Sequence, residues 1–357
     1  WFFNQWFLAS GHPVLKVEHE FLRESGEYVV KVTQTQDLST TPLYRLPVRI
    51  DVYTSIGTES YEVVVDSEYQ EFTFEVLSKP FLVHFDADQY LLAEIDEQKP
   101  TDFLLHQLAH GPNMMDRYEA IRSIVGDDAK GVRKGMILRI GMQDDFHAIR
   151  RYALSQVENI PEGELAGIKE TVESMMEDEN PSVRADAYGV WYEVYGEGDA
   201  AFYRERMLNE RSYNAMAGAF RVWKQLDRAA AEEYAVNNAL RTRGSLSSAL
   251  IQTILEDESN VDASKVASMI ENAGAEWQST IHISLPKYLS RLNESDRKSV
   301  LEQVNAVAPH LGEAATYYNY GIRVAKYQLK QALDNDEITQ QEYDSRNSVL
   351  ESLETIE

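Results

Sequence analysis

One change of rhythm constrains this chain more than any other feature. From residue 14 to about 86 apolar residues recur at every second position: Leu15 and Val17; Tyr28, Val30 and Val32; Val48, Ile50 and Val52; Tyr61, Val63 and Val65; Phe72, Phe74 and Val76; Phe81, Val83 and Phe85. A period of two is the mark of half-buried strands. The six runs are parted by Glu24-Ser25-Gly26, Ser39-Thr40-Thr41-Pro42, Ser55-Ile56-Gly57 and similar stretches, at the roughly 8 to 12-residue spacing of a small antiparallel β-sandwich. No helical pattern lies between them, so parallel pairing is not expected. After Glu97-Gln98-Lys99-Pro100 the period becomes helical and stays so to the C-terminus.

Inside the helical half a pattern centred on Arg and Ala returns: "DRYEAIRSI" at Ala120, "IRRYALSQV" at Ala153, "SVRADAYGVW" at Ala187, where Arg184 follows the helix-starting Asn180-Pro181-Ser182-Val183, "NAMAGAFRVW" at Ala219 and "LSSALIQTIL" at Ala249. The alanines stand 30 to 34 residues apart, the length of one helix-turn-helix unit, and a small side chain at one point per unit lets stacked helices approach closely. The expected class is therefore multidomain β plus α, a sandwich followed by a HEAT-like helical solenoid. The expected boundaries are 1–9 for an opening helical turn, 10–97 for the sandwich and 98–357 for the repeats.

The opening turn poses its own question. Trp1, Phe2, Phe3, Trp6 and Phe7 fall within seven residues, and Phe2, Phe3, Trp6 and Phe7 would share one face of an α-helix. Asn4 and Gln5 interrupt the run and no basic residue precedes it, which excludes a secretory leader. No window approaches the ~20 apolar residues of a membrane span. The aromatic face must pack on something, and the expectation is a tail of the last helix of a preceding domain.

Charge narrows the partners. With 59 acidic against 34 basic residues the net charge is −25, which disfavours nucleic acid and anionic membranes, both of which draw affinity from Lys and Arg. The absence of cysteine excludes disulfides and thiolate chemistry and leaves cytoplasm and periplasm equally open.

Candidate chemistry is sparse. "HQLAH" sets His106 and His110 four apart on one helix face, as in the His-Glu-x-x-His zinc motif. Gln107 stands where the motif has its base, and a third ligand at the spacing of zinc peptidases would fall on Ala129. The pair is read as structural, and so are His12, His19, His84, His147, His282 and His310. No Gly-x-Ser-x-Gly, phosphate-binding or dinucleotide fingerprint occurs, and the acidic Glu177–Pro181 stretch lacks calcium-loop spacing. Tyr317, Tyr318 and Tyr320 beside Arg323 are read as a core stripe with polar tips. No residue is expected to be catalytic, cofactor-binding or metal-ligating.

A resemblance accounts for the opening stretch. Trp6, the entry Ser10-Gly11-His12-Pro13, the strand with Val32-Thr33-Gln34 and Lys79-Pro80 before the last strand resemble the region following the catalytic domain in M1-family zinc aminopeptidases, the family of aminopeptidase N. The likeness covers residues 1 to about 97; beyond that it lies in domain order. It implies a non-catalytic C-terminal part of such a peptidase, whose zinc and catalytic residues belong to a catalytic domain of the same polypeptide. The helical bowl would then enclose the active site and gate peptide entry. A stand-alone helical-repeat scaffold for proteins or peptides is the alternative.

Overall fold

A computed structural model describes residues 1–126, 132–256, 266, 278–307 and 314–353. The chain divides into two compact units, Trp1–Gly167 and Ile168–Glu357. In the first, the alternating runs form strands β1 (Val14–Leu22), β2 (Glu27–Gln34), β3 (Leu46–Thr54), β4 (Gly57–Val65), β5 (Tyr69–Glu75) and β6 (Leu82–Phe85). A further strand, β7, spans Glu94–Glu97. Two sheets, ordered β5-β2-β1-β7 and β4-β3-β6, face each other across a core of Leu15, Val17, Tyr28, Val30, Val32, Leu46, Val48, Ile50, Val52 and Phe74, all buried. Each such aliphatic side chain contributes about 1.5–3 kcal/mol when it leaves water, which fixes which face of each strand turns inward.

Two expectations need correction here. β7 pairs with β1 in parallel, Val14 opposite Glu94 through Val17 opposite Glu97, although a parallel pair was not expected. The strand carries Glu-Ile-Asp-Glu and no apolar alternation. It is held by the β1 backbone and by side-chain partners described below. In the last predicted run, Phe81 lies outside the strand and is half exposed, whereas all four residues of β6 are buried. Alternation fails there because helix α1 (Thr101–His110) covers the second face of β6.

The helices that follow in this unit are α2 (Met114–Gly126), α3 (Lys134–Met142), α4 (His147–Ser155) and α5 (Glu162–Leu165). The second unit holds α6 (Lys169–Ser174), α7 (Pro181–Tyr195), α8 (Ala200–Asn209), α9 (Tyr213–Leu226), α10 (Arg228–Asn238) and α11 (Gly244–Glu256). Then come α12 (Gln278–Leu289), α13 (Glu294–Val307), α14 (Ala314–Asp334) and α15 (Gln340–Leu353). Their starts carry the expected chemistry: the Asn180 side chain accepts from Ser182 N ahead of α7 with Pro181 in first position, and Asp199, Ser212 and Asp227 cap α8, α9 and α10. Among the described residues no helix is long and apolar enough to cross a membrane.

The recurring alanines Ala120, Ala153, Ala187, Ala219 and Ala249 are all buried and lie one each on α2, α4, α7, α9 and α11. In the second unit these helices stack in a row, α7 on α9, α9 on α11, α11 on α12 and α12 on α14. The arginine three residues before the alanine has a repeated task. Arg117, Arg150 and Arg184 each donate Nη1 to the carbonyl six residues back, Gly111, Asp144 and Asp178, at 2.9, 2.8 and 2.7 Å. Arg117 then forks onto Asp144 at 2.6 and 3.0 Å, and Arg184 onto Glu210 at 2.8 and 2.8 Å. Each guanidinium thus ties off a carbonyl just before its own helix, and those of Arg117 and Arg184 also fork onto a carboxylate further along the chain, a planar two-point contact that Lys could not reproduce.

Candidate functional site

The imidazole pair was the sequence's one metal-like motif. Helix α1 does place the His106 and His110 rings together, with centroids 4.7 Å apart, as four-residue spacing requires. His106 is further held by Phe81, stacked at 5.6 Å, and by the edge of Tyr53 at 5.7 Å. Burial, and then the neighbouring His110, lower the His106 pKa below its usual value. Gln107, at the position of the motif's base, turns the other way. It is buried, donates to the Asp116 carbonyl at 2.8 Å and accepts from Lys99 Nζ at 3.0 Å. The helix therefore sends its imidazoles and its central polar residue to different faces. Among the described residues no group of three or more His, Cys, Asp or Glu could hold a metal. Ala129 and His310 lie outside the described residues.

The remaining singled-out residues are distributed as follows. His12 pairs with Glu94 at 2.8 Å on the surface, and His19 Nε2 of β1 donates to the Glu97 carboxylate of β7 at 2.7 Å in near-complete burial. His147 opens α4 beside Phe146. Of the tyrosines, Tyr318 is buried in line with Ile322, Ala325 and Leu329, while Tyr320 faces outward with the Arg323 guanidinium 5.9 Å from its ring centre. The acidic stretch is the cap of α7: Asp178 accepts from Asn180 N at 2.8 Å and Glu177 pairs with Arg206.

That cap borders a cavity of about 290 Å³ in the helical unit, lined by Glu177, Arg184, Tyr188, Arg206, Asn209 and Arg211 among others. Burial alone would raise the Glu210 carboxyl on its wall, but hydrogen bonds from Arg184 and Tyr188 outweigh it and hold its pKa below the usual carboxylate range. Burial, then the bond to Glu210, pushes Tyr188 up. Arg184 and Glu210 hold each other and Arg206 pairs with Glu177, so the wall side chains left to meet a guest are Asn209 and Arg211. They can donate hydrogen bonds to a carboxylate or peptide carbonyl. No motif in the sequence marked this cavity; only the Arg184 periodicity pointed near it.

The opening turn also exposes apolar side chains. Residues Asn4–Leu8 form a π-helical turn, closed by Ala9 N on Asn4 O at 3.0 Å, a wider winding than the α-helix assumed from sequence. The aromatic residues consequently do not share one face. Gln5 turns inward and clamps the Arg45 backbone, accepting from its N at 2.7 Å and donating to its O at 3.3 Å. Trp6 packs on the sandwich core with its ring 5.4 Å from Tyr44. Phe2, Phe3 and Phe7 turn outward, their centroids 5.5–6.1 Å apart. Phe3 is 70%, Phe7 69% and Leu8 78% exposed. Gln5 and Trp6 thus anchor an exposed aromatic cluster to the sandwich.

No protein-family model matches the chain, and no curated protein matches it. Among solved structures the chain is similar to Legionella pneumophila aminopeptidase A, crystallised in complex with aspartic acid. The identity is 13% and the TM-score 0.44, over 98% of this chain and 47% of that one, so the chain spans about half the length of that protein.

Proposed function

We propose that this chain is the non-catalytic C-terminal part of an M1-family metallo-aminopeptidase, and that it helps to enclose the active site of a catalytic domain in the same polypeptide and to gate peptide access to it. Zinc and the catalytic residues belong, on this reading, to that domain. The observation that carries the proposal is the opening turn: Gln5 and Trp6 fasten it to the sandwich while Phe2, Phe3 and Phe7 form an exposed cluster. A fixed apolar cluster is built to seat a folded neighbour. The residues that resemble the family lie on the same stretch and the sandwich after it. The helices that follow are read as HEAT-like repeats, on their 30 to 34-residue spacing and the buried alanine of each. A helical scaffold that binds peptides without chemistry nearby is the second reading, favoured by the exposed donors Asn209 and Arg211 of the 290 Å³ cavity.

The test is binding between this chain and the separately expressed catalytic domain, followed by sedimentation. The chain should associate with it, and a Phe2→Ser/Phe3→Ser/Phe7→Ser variant should bind at least tenfold more weakly with an unchanged thermal midpoint. Failure of the native chain to associate would leave the scaffold reading ahead.

A further inference from the structure

In the first unit the sandwich meets α1 and α2 over ionisable groups that water barely reaches. His84 of β6 is 1% exposed and Asp116 of α2 0%, with His84 Nε2 3.5 Å from Asp116 Oδ1. Asp116 also accepts from Gln89 Nε2 at 2.8 Å and from Asn113 N at 3.2 Å, and its carbonyl accepts from Gln107 of α1. Gln107 in turn holds Lys99, which pairs with Glu97 of β7 at 3.0 Å; Glu97 meets His19 of β1. On β3, Asp51 stands opposite His84 in the ladder and pairs with Arg49, which also reaches Asp88. Glu119 of α2 completes the set. One chain of polar contacts thus runs from the strands through β7 and the linker into both helices.

We propose that His84 is an acid-sensitive latch: while its imidazole is neutral, α1 and α2 stay fastened to the sandwich, and its protonation on mild acidification releases them. An imidazolium has two N–H donors. His84 Nε2 has Asp116 within reach, but Nδ1 is buried and meets no partner among the described residues. The charged form would therefore bury an unsatisfied donor as well as a charge. Burial first, and the Lys99 charge second, hold the His84 pKa below its usual 6.5, against the opposing pull of Asp116, Glu97 and Asp51. A released His84 takes up its proton near the ordinary value, before the packed one does. Acidification through about pH 6.5 therefore favours release. Two groups oppose this. Burial raises the carboxyls of Glu119 and Asp86, so they take up protons sooner in the packed state and stabilise it as pH falls. Glu97, lowered by Lys99 and His19 against its burial, loses its contribution only in stronger acid. The latch does not depend on the peptidase reading.

The test uses the native chain. Hydrogen–deuterium exchange at pH 7.5 to 5.0, corrected for intrinsic rates, should show protection of residues 101–126 falling at least tenfold while that of β1 and β2 holds. The midpoint should coincide with the His84 titration followed by imidazole NMR, and His84→Asn should flatten the profile. Unchanged protection of 101–126, or a loss whose midpoint differs from that of His84, overturns the proposal. The agreement of the two midpoints in the native chain decides the matter if the variant does not fold.

Discussion

His282 of α12 is 96% buried, with both ring nitrogens lacking a partner among the described residues and its pKa lowered by burial. An unpaired polar group in the interior costs about 1–3 kcal/mol. Because the folded pKa lies below 6.5, the unfolded chain binds the proton first, and this group's contribution to stability falls as pH drops below 6.5. His282→Leu should raise unfolding stability by about 1–3 kcal/mol at pH 7.5 and by more at pH 5.5, measured by urea denaturation. A variant less stable at both pH values would contradict this account of the site. Residue-scale chemistry of this sort was only partly legible. The arginines at 117, 150 and 184 could be read because they recur with the alanines. The fate of Gln107 could not, since its partners Lys99 and Asp116 are brought to it by the chain that leaves β7 and by the packing of α2 against α1.

At the scale of elements, stacking depends on small residues at the crossings. A Cβ on Gly218 of α9 would lie 2.6 Å from Ala185 Cα and 2.7 Å from Ala185 O of α7, both backbone atoms that cannot step aside; a Cβ on Gly189 of α7 would meet nothing within 4 Å. Gly218→Ala should therefore cost about 1–3 kcal/mol by overpacking, while Gly189→Ala should gain about 0.5–1 kcal/mol by helix propensity. Equal shifts of the two thermal midpoints would mean that the α7–α9 contact is looser than described. The strands β1 to β6 and the buried alanines were readable because apolar spacing is itself the driving force for burial. Strand β7 was not, because Glu-Ile-Asp-Glu contributes backbone and charge to its partners rather than apolar surface. The opening turn was misjudged for a different reason: an α-helical wheel puts Trp6 with Phe2, Phe3 and Phe7, and the π winding separates them.

The whole molecule carries 25 excess negative charges, and under the gating role proposed above their field would favour peptides with free ammonium groups and basic side chains, an effect that salt weakens. The most direct measurement supplies the catalytic domain with and without this chain and compares turnover of a short chromogenic substrate, a basic ten-residue peptide and an acidic one, at low and high salt. Adding the chain should leave the short substrate within about twofold and raise the basic-over-acidic ratio several-fold at low salt, with the preference fading as salt shortens the ~10 Å screening length. Identical rates with and without the chain, once association has been demonstrated, would contradict the gating role.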